Sequence, residues 1–238
     1  MADLRSRIEV AKLASELGTT TERLAFLAEH DVEDIRALHT TISTVLHERN
    51  EDRITRLAGL APLLPTAITA RIAEHAMGPL VSARFAGAIS PDDAAKLAKK
   101  LRPAFLSEVA ACLDPQRAKT LLSRLPDSLL IDAGRGLREK HEHVSLGRFV
   151  AVVNTEVALG VMDGSSGDEL LQVGLFTEAA DALAAIIDRL PDDRLVEVLQ
   201  AARARDIYED AVALLLPSVA DERRKRLTDR ITAEAETS

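Results

Sequence analysis

Few residues in this chain have the types and spacing that chemistry needs. His141, Glu142 and His143 form the only histidine cluster; His30, His39, His47 and His75 are scattered. On a helix, positions two apart face different directions. His141 and His143 could therefore share an ion only from an extended turn, with a third ligand supplied from elsewhere. No HExxH spacing is present, and the trio reads as a polar turn, with no metal site expected. The segment Asp163-Gly164-Ser165-Ser166-Gly167-Asp168-Glu169 resembles a calcium or phosphate loop at first sight. It lacks the glycine and glutamate register of an EF-hand and holds no Lys or Arg for phosphate. Ser166 and Glu169 stand at the spacing of a capping box, which predicts a helix start instead.

Cys112 is the single cysteine, so an internal disulfide framework and a cysteine-rich zinc site are excluded. It lies beside the apolar position Leu113 with no histidine near it in sequence, and reads as a buried structural thiol rather than a nucleophile. Arg223-Arg224-Lys225-Arg226 follows Asp221 and Glu222 at helical pairing distance and reads as a solvated helix face. Residues 13–30 have the spacing of a helix-turn-helix, with Ala14, Gly18, Leu24 and Leu27 in place. The second helix of such a motif must present donors to bases and phosphates. Here it offers only Arg23 among acidic neighbours, so an ordinary capped hairpin is the better reading, with Thr19 and Glu22 as its capping box. No convergent catalytic set and no cofactor-binding motif emerges from these residues.

The elements that carry these groups are set by a repeat. Pro79, Pro91, Pro103, Pro115 and Pro126 are separated by 12, 12, 12 and 11 residues. Apolar residues recur at the sixth, seventh and tenth positions after each of the first four: Phe85, Ala86 and Ile89; Leu97, Ala98 and Leu101; Val109, Ala110 and Leu113; Leu121, Leu122 and Leu125. The unit after Pro126 drifts. That spacing lines one stripe of a helix. Proline suits a first helical position, where its missing N–H has no partner to lose, and it ends the preceding helix. Ser90 and Asp114 stand where they can cap. Each unit is therefore a helix of about two and a half turns, too short to be stable alone. Stacking such helices supplies the core, as in a solenoid.

The residues ISPDDAAKLAKKL (89–101), RPAFLSEVAACL (102–113) and DPQRAKTLLSRLP (114–126) resemble the superhelical N-terminal domain of MgtE-type magnesium transporters. They are also similar to the middle domain of the flagellar switch protein FliG. The resemblance covers residues 60–137 and implies a right-handed superhelix of short helices. The transporter domain is acidic and takes part in magnesium sensing, whereas residues 79–137 here carry a net charge of +3. No metal ligand carries over residue by residue.

The flanks read as helices too: one over 4–17 ending at Gly18, one over 32–49, one over 54–64, and seven more between 145 and 233. No stretch alternates with a period of two, so the chain is expected to be all-α. Three regions are drawn by composition: 1–58, 59–137 and 138–238, the last either separate or continuous with the repeats. Their net charges are −3, +3 (with 59–78 at zero) and −8, summing to −8 for 238 residues with 47 % apolar content. Wholesale disorder is excluded at that apolar content. Nucleic acid is not an expected partner of so acidic a chain. The first residues form no secretory signal, and the most apolar window, 146–162, is broken by Arg148, Asn154 and Glu156. A cytoplasmic protein without membrane insertion is expected. The leading functional expectation is a non-catalytic module that binds another protein or itself, with partner capture sensitive to charge reversal at Lys99, Lys100 and Arg102. A DNA-binding regulator using 13–30 is the alternative. A third reading, an enzyme or small-ligand carrier, would require a cleft that gathers several of His141, Glu142, His143, Arg148 and Asp163.

Overall fold

The computed structural model describes residues 3–48, 51–60, 63–217 and 219–235. Among them the chain is all-α and holds no strand. The N-terminal part comprises α1 (Leu4–Glu16), a 3₁₀-helix (Thr21–Glu29), α2 (Val32–Glu48) and α3 (Glu51–Leu60). Next come α4 (Thr66–Ile72), which runs into a π-helical turn (Ala73–Met77), α5 (Gly78–Ala88), α6 (Pro91–Ala98), α7 (Pro103–Ala111) and α8 (Pro115–Leu122). The remainder comprises α9 (Asp127–Glu139), α10 (His143–Val150), α11 (Thr155–Met162), α12 (Gly167–Leu175), α13 (Ala180–Arg189), α14 (Asp192–Ala204), α15 (Tyr208–Leu215) and α16 (Asp221–Ala235).

Proline does at these starts what its chemistry allows. Pro91, Pro103 and Pro115 are the first residues of α6, α7 and α8, and Pro79 is the second residue of α5. Pro126 instead occupies the cap position of α9, whose 13 residues account for the drift of the last unit. Ser90 Oγ accepts from the Asp93 amide at 3.2 Å, and Asp114 Oδ1 accepts from the Gln116 and Arg117 amides at 2.9 and 3.3 Å. The stripe residues Phe85, Leu97, Ala98, Val109, Ala110, Leu121 and Leu122 are all buried.

Burial comes from contact with the next helix but one. α3 packs on α5, α5 on α7, α7 on α9, α9 on α11 and α11 on α13. A second row runs α4 on α6 on α8, then α10 on α12 on α14 on α16. One tight layer is α9 between α7 and α11. A Cβ built on Gly136 would lie 2.1 Å from Ser107 Oγ, and one on Gly134 would lie 2.4 Å from Val161 Cγ2. Compositional breaks at 58 and 137 fall inside α3 and α9, and one apolar cluster crosses 137 from Ala110 and Leu122 through Leu137 to Phe149 and Val173.

Three local expectations are corrected. Residues 21–29 form a 3₁₀-helix capped at Thr20, so the capping box expected from Thr19 to Glu22 is not made. Cys112 is exposed at the C-terminal end of α7, not buried. Arg223 and Arg224 are not a solvated face. Arg223 donates to Asp192 Oδ1 at 2.8 Å and to the carbonyls of Ile187 and Leu190, closing the end of α13. Arg224 donates to the carbonyls of Leu216, Pro217 and Val219 and holds the loop before α16. Guanidinium donors satisfy these orphan carbonyls better than water does when the loop is half-buried.

Candidate functional site

Two surfaces stand apart from the packed stack: a charged cleft and an apolar end.

The cleft is built by polar stripes. On α1, Arg5, Glu9, Lys12 and Glu16 are four, three and four residues apart, so they fall along one side of the helix. On α2, Arg36, His39, Thr40, Ser43 and Thr44 do the same. The facing wall is Asp114 and Arg117 at the start of α8, Arg148 on α10, and Thr177 and Glu178 between α12 and α13. Together they enclose about 740 Å³.

Most of its charges are already paired. Lys12, 4 % exposed, donates from Nζ to Glu9 Oε1 at 3.2 Å and to Glu178 Oε1 at 2.7 Å. Arg36 Nε donates to the same Glu9 oxygen at 3.2 Å. Glu16 receives His39 Nε2 at 3.1 Å and Ser43 Oγ at 2.8 Å, with Arg148 Nη1 3.7 Å away. The His39 contact chiefly, then Ser43 and Arg148, outweigh burial and lower the Glu16 carboxyl from 4.5 to about 2. Burial alone would raise Glu178, but Lys12 and then Arg148 bring it below its usual value.

This arrangement joins α1 and α2 to each other and to the stack through charged contacts. Ser43 and His39 both bond the central carboxylate Glu16, so no imidazole stands between hydroxyl and carboxylate to take the hydroxyl proton. The cleft takes in Arg148, but not His141, Glu142, His143 or Asp163. Those residues lie elsewhere. His141 adopts φ +57°, and the His143 amide donates to the His141 carbonyl at 2.9 Å, a tight turn that sets the two rings 5.8 Å apart. Burial first, then His141, push the His143 pKa down. No group of three His, Cys, Asp or Glu side chains able to hold a metal occurs among the described residues. Ser166 and Glu169 form the capping box of α12. Asp163 lies 3.9 Å from Arg135. Lys99 and Lys100 are exposed, while Arg102 is bonded through its amide and Nε to Glu74 at 2.6 and 2.8 Å.

The apolar end is defined by position in the chain. Among the described residues, every exposed large hydrophobic side chain lies between Leu17 and Leu80. Leu17, Phe26, Leu38 and Val45 belong to the α1–α2 part, with Phe26 at 63 % exposure. Leu57, Leu63, Leu64, Ile68, Ile72 and Leu80 belong to α3, α4, their connection and the start of α5. Ile68 and Ile72 are spaced by four and share one side of α4, and Leu64 lies in the connection that leads into it. The other side of α4 buries Thr69 and Ala70, and α4 packs on α6. An interior helix of the stack would be covered on both sides. Residue-by-residue reading missed both surfaces: a polar stripe looks like a solvent face, and an apolar one looks like core.

Among the described residues the molecule is thus all-α, its short helices packing on their next-but-one neighbours, with a largely paired ionic cleft and an end that carries exposed apolar side chains. No protein-family model, curated protein or solved structure matches it. No helix among the described residues is long and apolar enough to cross a membrane.

Proposed function

We propose that this protein is a non-catalytic helical-repeat interaction module that docks through the apolar end formed by α3, α4 and the start of α5. The observation that carries this reading is that, among the described residues, every exposed large hydrophobic lies between 17 and 80, and six of the ten lie on α3, α4, their connection and the start of α5. Single exposed apolar residues are ordinary, but a concentration of them on one end is the mark of a binding surface. Solenoid arrays need polar caps at their termini, and the C-terminal helix α16 is charged along most of its length, while α4 is not. The resemblance to MgtE-type and FliG helical repeats supports the same reading, since those repeats are structural rather than catalytic.

The test is association of the intact chain, with itself and with proteins of its source cell, compared with the Ile68→Glu/Ile72→Glu variant. The wild-type chain is expected to associate and the variant to lose that association. A wild-type chain that associates with nothing, or a variant that associates equally well, overturns the reading.

A further inference from the structure

We infer that the charged cleft is a binding site for a phosphorylated sugar or polyol, its phosphate held by Arg5, Arg117 and Arg148. None of the side chains lining it belongs to α3 or α4, so this inference and the role of the apolar end stand or fall separately.

The sign of the ligand follows from the hydrogen-bonding capacity the cleft has left over. Each of its carboxylates already accepts. Glu9 receives Lys12 and Arg36, Glu178 receives Lys12, Glu16 receives Ser43, and Asp114 receives the amides of Gln116 and Arg117. Three guanidinium groups are not so used. Arg148, 28 % exposed, stands 3.7 Å from Glu16, and Arg117 Nε stands 3.8 Å from Asp114, both beyond hydrogen-bond distance. Arg5 forms no ion pair among the described residues, and none of the three guanidinium groups donates a hydrogen bond there. Each carries five N–H donors in a planar fork that fits an oxyanion.

Charge agrees with this. Leaving His39 aside, five cationic side chains line the cleft against three carboxylates, with Glu16 close by as a fourth. Glu33, outside the lining, is taken by Arg36. The chain as a whole is at −8 and repels anions, so an anion is held only where cations are gathered locally. Three guanidinium groups exceed what the two oxygens of one carboxylate can accept. A phosphate ester brings three terminal oxygens and close to two charges.

Volume and hydroxyls give the ligand a body. The 740 Å³ of the cleft falls within the roughly 300–1,000 Å³ of small-molecule sites and far exceeds one phosphate. Thr40, Thr44 and Thr177 each spend their hydroxyl proton on a backbone carbonyl of their own helix, at 2.8–2.9 Å. Their oxygens can therefore accept but not donate, which suits the hydroxyl groups of a sugar or polyol.

Titration calorimetry of the intact chain tests this, with glucose 6-phosphate, glycerol 3-phosphate, glucose and inorganic phosphate as probes. At least one of the two esters is expected to bind, inorganic phosphate about tenfold more weakly, and glucose not at all. Arg148→Gln should weaken ester binding by about tenfold or more, the loss of a hydrogen bond to a charged group. Arg117→Gln should do the same, and its 63 % exposed side chain leaves the packing untouched if Arg148→Gln disturbs it. Arg7→Gln, exposed on α1 outside the cleft, changes the net charge equally and should leave binding intact. Circular dichroism should show unchanged helix content in all three. No binding of either ester at about 10 mM, or ester binding that Arg117→Gln and Arg7→Gln affect equally, overturns the proposal. Glucose that binds as tightly as its phosphate overturns it too, and inorganic phosphate that binds as tightly as the esters overturns the assignment to a sugar or polyol phosphate.

Discussion

Lys12 Nζ sits 2.7 Å from Glu178 Oε1, a contact between residues 166 positions apart that ties the first helix to the connection between α12 and α13. Lys12 also neutralises Glu9, which is 4 % exposed. Removing one member of a buried pair leaves its partner charged and poorly solvated. Lys12→Ala is expected to lower unfolding free energy by about 3 kcal/mol. The double variant Glu9→Gln/Lys12→Met should lose less than Lys12→Ala, because no buried charge is left alone. Urea unfolding of the three proteins measures both differences.

The Glu16 carboxylate gives the same junction a pH dependence. Its pKa is depressed to about 2 from an ordinary 4.5, chiefly by His39. A depressed carboxyl stabilises the fold fully above its unfolded value and loses that contribution as pH falls toward the folded one. Wild-type stability should therefore decline between about pH 4.5 and pH 2, and Glu16→Gln should show a shallower decline in urea midpoints over that range.

Two glycines separate crowding from propensity. Gly136 in α9 faces Ser107, and a Cβ there would lie 2.9 Å from Ser107 Cβ as well as 2.1 Å from Oγ. Gly136→Ala is expected to destabilise by about 1–3 kcal/mol despite the better helix propensity of alanine, and Ser107→Gly should relieve it. Gly87 in α5 has nothing within 4 Å of its Cβ position. Gly87→Ala should stabilise by about 0.5–1 kcal/mol. Thermal unfolding should shift in opposite directions for the two.

The repeat was legible because each unit announces itself locally: proline at a helix start, a capping Ser90 or Asp114, and a stripe such as Leu97, Ala98 and Leu101. The all-α character follows from that periodicity. The cleft was not legible, because Glu9, Lys12 and Glu178 carry no local sign that they will meet. Their stripe on α1 has the pattern of a solvent face, and only the approach of α10 and the α12–α13 connection buries it. The same blindness to distant neighbours explains Arg223, which finds Asp192 and the end of α13, and Cys112, whose stripe-adjacent position turns out to lie at a corner.

That corner has a chemical consequence. Local burial first, then Glu142 and Glu108, raise the Cys112 pKa and disfavour the thiolate, although the residue is exposed. Alkylation by iodoacetamide at pH 8 should be slower than for an unperturbed cysteine, and Glu108→Gln/Glu142→Gln should accelerate it. An unchanged rate would mean that the two carboxylates do not act on the thiol.

The role of the apolar end is tested most directly by hydrogen–deuterium exchange of the intact chain, dilute and alone against concentrated or mixed with the proteins of its source cell. Amides of residues 63–80 are expected to gain protection in at least one of the latter two samples, while those of α12 to α16 keep the same rates. Protection that grows in α12 to α16 instead, or exchange in 63–80 that is the same in all three samples, would contradict the account.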